Sequence, residues 1–192
     1  MSSSTRALIV VDVQPTFCEG GALPSPGANA VAERVARYVE QHGGDYAAVV
    51  TTQDWHVDPG AHFSDEPDFV DTWPPHGVAG TAEAELHPAL AGLDFDASVK
   101  KGMYAAAYSG FEGVDDEGRS LEDVLRGRGV TAVDVVGLVE SHCVKETALD
   151  ARRRGLEARV FTDLTVPVTP ELGAQARTVM AAAGVELAES GT

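Results

Sequence analysis

The residue best placed to do covalent chemistry is Cys143. It follows Gly137-Leu138-Val139-Glu140-Ser141-His142, just past an expected strand end and at the start of the next expected helix. Backbone N–H groups at a helix start would lower the pKa of a thiol there and could hold the oxyanion of a tetrahedral intermediate. An inert buried thiol is the common alternative. Cys18, in a loop with Glu19 beside it, fits that description better. Asp12 closes a buried strand, where a carboxylate can cap a turn or act as a general base. Lys100 and Lys101 follow a third strand. A lysine beside a thiol would hold the thiolate and the developing oxyanion, and first principles do not choose between the two.

A second constellation lies in the segment after the second strand: Asp54-Trp55-His56, then His62, then His76. Asp and His two residues apart in extended chain point to the same side. A third imidazole from the same loop completes a site for Zn, Mn or Fe. Single histidines are more often surface residues, and His42 and His87 are read that way. Asp54, His56 and His76 together favour a metal site, and the spacing leaves open whether His62 is a fourth ligand or a supporting partner.

These residues need a scaffold that presents strand ends to one crevice. The apolar run 7–11 reads as a strand buried on both faces, and 46–52, 97–99, 133–138, 156–161 and 185–187 read as further strands. Helical spacing appears at Val31, Val35, Tyr38 and Val39, at Leu121, Val124 and Leu125, over 142–154, and over 170–183 with Pro170 as its start. The alternation predicts an α/β fold, a three-layer αβα sandwich on a mainly parallel sheet, with residues 1–192 as one domain. Residues 53–96 form a long irregular loop, a length that usually marks function. Ligands in such sheets bind at the carboxyl ends of the strands, where these residues fall.

Charge narrows the partners. The chain carries 30 acidic and 14 basic residues, a net charge of −16. Nucleic-acid binding needs clustered Lys and Arg, so no nucleic acid is expected. The acidity serves solubility, or it attracts cationic substrates. No apolar run reaches the length of a membrane span, and the polar start lacks a secretory signal, so a cytoplasmic location with no membrane partner is expected. The two cysteines make no disulfide framework.

Taken together, Val11-Asp12-Val13-Gln14, Phe17-Cys18-Glu19-Gly20-Gly21, Gln53-Asp54-Trp55-His56, His62-Phe63-Ser64, Trp73-Pro74-Pro75-His76, Lys101-Gly102, Tyr108-Ser109-Gly110-Phe111-Glu112-Gly113 and His142-Cys143-Val144 resemble the nicotinamidase/pyrazinamidase branch of the isochorismatase-like cysteine hydrolases over nearly the whole chain. The resemblance implies a catalytic set of Asp12, Lys101 and Cys143, choosing Lys101 over Lys100. It implies a divalent metal ion (Zn, Fe or Mn) held by Asp54, His56 and His76, with His62 a fourth ligand in some members. It also implies a cis peptide at Leu138-Val139 and an oxyanion hole from the Val139 and Cys143 amides. Phe17, Trp73, Tyr108 and His142 would line the pocket for a small-molecule amide, with Leu138 and Glu140 in its wall. A homodimer or larger homo-oligomer is implied by relatives. The chain departs from the family at Val139-Glu140-Ser141, where Ala-Thr-Asp is usual. The added carboxylate motivates an alternative substrate, a larger cationic amide or lactam of the streptothricin-hydrolase kind. A non-catalytic binding member is a second alternative, and the complete catalytic set argues against it.

Overall fold

The computed structural model describes residues 5–191. Six strands form one parallel sheet in the order β3-β2-β1-β4-β5-β6. They are β1 (Arg6–Val11), β2 (Ala48–Asp54), β3 (Ala97–Lys101), β4 (Ala132–Leu138), β5 (Glu157–Val166) and β6 (Glu186–Ala188). Four α-helices connect them: α1 (Ala28–His42), α2 (Leu121–Gly127), α3 (Lys145–Arg153) and α4 (Pro170–Ala182). No helix among the described residues is long and apolar enough to cross a membrane.

The period-two alternation of a strand explains the layers. In β1, Ala7, Ile9 and Val11 face a core shared with Val124, Leu149 and Met180 of α2, α3 and α4. Leu8 and Val10 face the opposite core, shared with Val31, Val35 and Val39 of α1. Both faces are therefore covered, which is why this strand reads as an unbroken apolar run. The result is the expected three-layer α/β sandwich. Several boundaries differ from expectation: β3 runs on to Lys101 and β5 to Val166, beyond the expected ends at 99 and 161, and two further differences bear on the site. Strand β2 begins at Ala48 and runs on to Asp54, so Tyr46 lies outside it. The expected helix 142–154 is split into a five-residue π turn, Glu140–Val144, followed by α3.

Strand order reverses between β1 and β4, and the crevice outside such a switch point is where open α/β sheets bind ligands. The opposite end of β4 is tied by charge. Asp134, fully buried, accepts from Arg6 at 2.8 Å, from Arg159 at 2.7 Å and from the Tyr46 hydroxyl at 2.7 Å. Charged hydrogen bonds of this kind each contribute about 1.5–3 kcal/mol. Asp134→Ala is expected to lower the unfolding free energy by about 2–3 kcal/mol in urea titration, with catalytic constants unchanged in the folded fraction.

Candidate active site

Three strand ends and one turn deliver the reactive groups. Asp12, one residue past β1, has φ 46°, in the left-handed region that Asp tolerates better than most side chains. Thr52 of β2 fixes it from both sides: its hydroxyl donates to Asp12 Oδ1 at 2.6 Å, and its carbonyl accepts the Asp12 amide at 3.1 Å. The other carboxylate oxygen lies 2.9 Å from Lys101 Nζ.

Alternation along β3 separates its two lysines. Lys100 points outward, 3.1 Å from Asp116 and over the Trp55 ring. Lys101 points inward and is buried. Its ammonium contacts Asp12 and Asp54, donates to the Ala107 carbonyl at 3.2 Å, and stands 3.6 Å from Cys143 Sγ. Burial opposes its charge, but the two carboxylates hold its pKa well above the usual lysine value.

Cys143 sits in the π turn rather than in the first turn of α3. The expected lowering of its pKa is overturned. Burial pushes the thiol well above its ordinary value, Lys101 opposes this, and Asp12 and Asp54 add to it. Such a thiol needs a base nearby, and a carboxylate oxygen of Asp12 lies within 4.8 Å of the sulfur. Burial likewise raises the Asp12 carboxyl, with Lys101 pulling it down, which suits a group that accepts and returns a proton. Cys18 is buried too, but desolvation and Glu19 push its thiol up to about 11, and its sulfur only donates to the Gln14 carbonyl. The turn begins after a cis peptide between Leu138 and Val139.

Asp54 joins this group to the histidines. One of its oxygens meets Lys101. The other lies 3.6 Å from His56 Nε2 and 3.8 Å from His76 Nε2. His56 Nδ1 donates to the Gly102 carbonyl at 2.6 Å and His76 Nδ1 to the Pro74 carbonyl at 2.8 Å. A carbonyl can only accept, so both rings carry their proton on Nδ1 and keep the Nε2 lone pair free. His56 Nε2 and His62 Nδ1 are buried without a hydrogen-bond partner, and ligand atoms from all three rings lie within 4.8 Å of one another. Burial, with His76 and His56 nearby, lowers His62 to about 4, so it is neutral near pH 7. Converging imidazoles, two of them with an orphaned ring nitrogen, beside a carboxylate fit a divalent metal ion. Gly102 has φ 74°, and a Cβ there would lie 2.5 Å from the His56 ring, which explains a glycine directly after the inward lysine. Gly102→Ala is expected to displace His56 and lower the metal content of the purified protein about 10- to 100-fold in affinity, read by elemental analysis and chelator titration.

Cys143, Asp54, His62 and His76 open onto a cavity of about 570 Å³. Phe17, Trp73, Tyr108, Val139, His142 and Cys143 line it. The Trp73 indole N–H donates to the Tyr108 hydroxyl at 3.0 Å, and the Trp73 and His142 rings meet edge to face. Two residues expected in its wall are elsewhere. Leu138 is the last residue of β4 and is fully buried in the core beneath α1. Glu140 turns away toward α4, where Arg177 Nη1 donates to both of its oxygens at 2.8 Å. Its charge is already compensated, so Glu140 gives no motive for a cationic substrate. The cavity also has walls that the sequence did not announce. Leu23 and Ser25 come from the loop before α1, Phe69 from the long loop, Val168 from the residues leading into α4 and Leu172 from its first turn. Leu23, Ser25, Phe69 and Val168 lie in loops and carry no periodic signal, and Leu172 sits on α4 with nothing in its spacing to mark it, so only their placement reveals them. Thr52 has a weak signal, a hydroxyl inside an apolar strand, but its partner depends on strand order.

The Isochorismatase domain family matches residues 6–191. The chain belongs to this family. It is 50% identical over 182 residues to the nicotinamidase/pyrazinamidase of Mycobacterium tuberculosis, covering 95% of this chain and 97% of that one. Among solved structures, the pyrazinamidase of Pyrococcus horikoshii in complex with zinc has a TM-score of 0.82 at 33% identity, over 96% of this chain and 99% of that chain. The PnC1 of L. infantum in complex with nicotinate has a TM-score of 0.85 at 33% identity, over 99% and 95% of the two chains.

Proposed function

We propose that this isochorismatase-family protein hydrolyses the carboxamide of nicotinamide, and of the related pyrazinamide, to the carboxylate and ammonia. The observation that carries this is the placement of Cys143 Sγ 3.6 Å from Lys101 Nζ and within 4.8 Å of an Asp12 carboxylate oxygen, at the floor of a cavity with aromatic walls. The similarity to a nicotinamidase/pyrazinamidase at 50% identity and to a structure that holds nicotinate supports the substrate.

The proposed steps use the residues that the site brings together. A planar aromatic amide enters between Phe17, Trp73, Tyr108 and His142. Asp12 takes the thiol proton, and Lys101 stabilises the thiolate that forms in a dry site. The sulfur attacks the carbonyl carbon, the C=O pair moves to oxygen, and the Val139 and Cys143 amides receive the oxyanion. The C–N bond then breaks as Asp12 returns its proton to nitrogen, so ammonia leaves and an acyl thioester remains. Water, deprotonated by Asp12, hydrolyses the thioester and restores the thiol. Zinc, iron or manganese is the ion suited to Asp54, His56, His62 and His76, where it would supply Lewis acidity to orient a ring nitrogen or a water. Asp54 transmits that site to Lys101, because each of its oxygens serves one of them.

Ammonia release from nicotinamide, with nicotinate as co-product, tests the reading. Negligible release from protein whose Cys143 reacts with electrophiles would remove the substrate assignment.

A further inference from the structure

Glu140 begins the turn that carries the nucleophile, and nothing in the chemistry above uses it. Its side chain is 1% exposed, yet a carboxylate in such a place needs a compensating charge. Arg177, 37 residues away on α4, provides the hydrogen bonds, through one nitrogen to both oxygens. Two further contacts tie the same parts together. Ser141 Oγ accepts the Val168 amide at 3.3 Å. Gly173 of α4 lies so close that a Cβ would sit 3.1 Å from Glu140 Oε2 and 2.7 Å from Pro167. The residues leading into α4, Val168 and Thr169, and Leu172 of its first turn in turn line the cavity.

We propose that Arg177 is a positioning residue for catalysis: by clamping Glu140 it fixes the Glu140–Val144 turn, and so the Cys143 sulfur, relative to Lys101, Asp12 and the α4 wall of the cavity. Arg177 is half-exposed and touches no lining residue of the aromatic pocket through a hydrogen bond, so its effect passes through the turn. The inference rests on the proposed amide hydrolysis for its kinetic readout only.

The test compares Arg177→Ala, Arg177→Lys and the double variant Glu140→Gln/Arg177→Leu. Three quantities are read: melting temperature, kcat and KM for nicotinamide, and the rate at which iodoacetamide alkylates Cys143, followed by peptide mass. Misplacing a reacting group by about 1 Å can cost 10²-fold. In Arg177→Ala, kcat and the alkylation rate are expected to fall by about 10-fold or more with KM changed less than about 3-fold, and Arg177→Lys is expected to recover most of the loss. In the double variant no charge is left buried, so the melting temperature is expected to return toward that of the parent while kcat and alkylation stay low. Recovery of kcat together with melting temperature would reduce the pair to charge compensation and overturn the proposal. So would parental kcat and alkylation in a folded Arg177→Ala protein. If the parent itself releases no ammonia, the substrate reading fails, and the alkylation rates still decide the clamp.

Discussion

Lys101→Met is expected to abolish amide hydrolysis and to destabilise the fold by about 3–5 kcal/mol, the cost of removing one partner of a buried ion pair. Methionine nearly matches the lysine stem in length and is well tolerated in cores, so packing alone predicts a small change. The large effect is electrostatic. Lys101 is the cation buried between Asp12 and Asp54, and both carboxylates lose it at once. Asp12 keeps only the Thr52 hydroxyl and main chain, so burial favours its protonated form. A protonated Asp12 cannot accept the thiol proton, and the thiolate has no counter-charge. Loss of one member of such a catalytic set typically costs about 10⁴- to 10⁶-fold in kcat. Urea unfolding and ammonia release check the two halves separately. Full stability in the Met variant would mean that the carboxylates do not depend on Lys101.

Cys143→Ala is expected to show the opposite pairing of effects. Ammonia release falls by about 10⁶-fold, as for other nucleophile deletions, while the unfolding free energy changes by no more than about 1 kcal/mol. Only one heavy atom leaves the core, and the ion pairs of Asp12 and Asp54 with Lys101 remain. Phe17, Trp73, Tyr108 and His142 are untouched, so nicotinamide is expected to raise the melting temperature of this variant, because a ligand that binds only the folded state stabilises it. Residual turnover near the parental rate would place the nucleophile elsewhere. Cys18 is a poor substitute, with a buried thiol pushed up to about 11.

The two variants also separate what the sequence reveals from what it withholds. The strand run 7–11 and the switch of period at α1 disclose the layers, because burial on both faces leaves a continuous apolar signature. The strand-end position of Asp12 is likewise visible as a polar residue that stops an apolar run, whereas Asp54 falls within the stretch expected as loop and only the structure carries β2 out to it. The choice between Lys100 and Lys101 is not visible in spacing, since it depends on which face of β3 meets the site. The raised thiol pKa is hidden for a related reason. A helix start suggests stabilisation of the thiolate, but the chain forms a π turn there, and burial beside Asp12 and Asp54 outweighs Lys101. Glu140 is the clearest case. Read as a string, it is a carboxylate next to the nucleophile and points to a cationic substrate. Its partner, Arg177, lies on a different helix, and no local pattern links the two.

The most direct test of the central claim is to mix the protein with nicotinamide, quench in acid within the first turnovers, and map adducts by peptide mass. The account predicts a nicotinoyl thioester on the peptide containing Cys143, absent from Cys143→Ala, with nicotinate and ammonia released in equal amounts. Stoichiometric nicotinate without any acyl adduct on Cys143, or turnover that survives in Cys143→Ala, would contradict it.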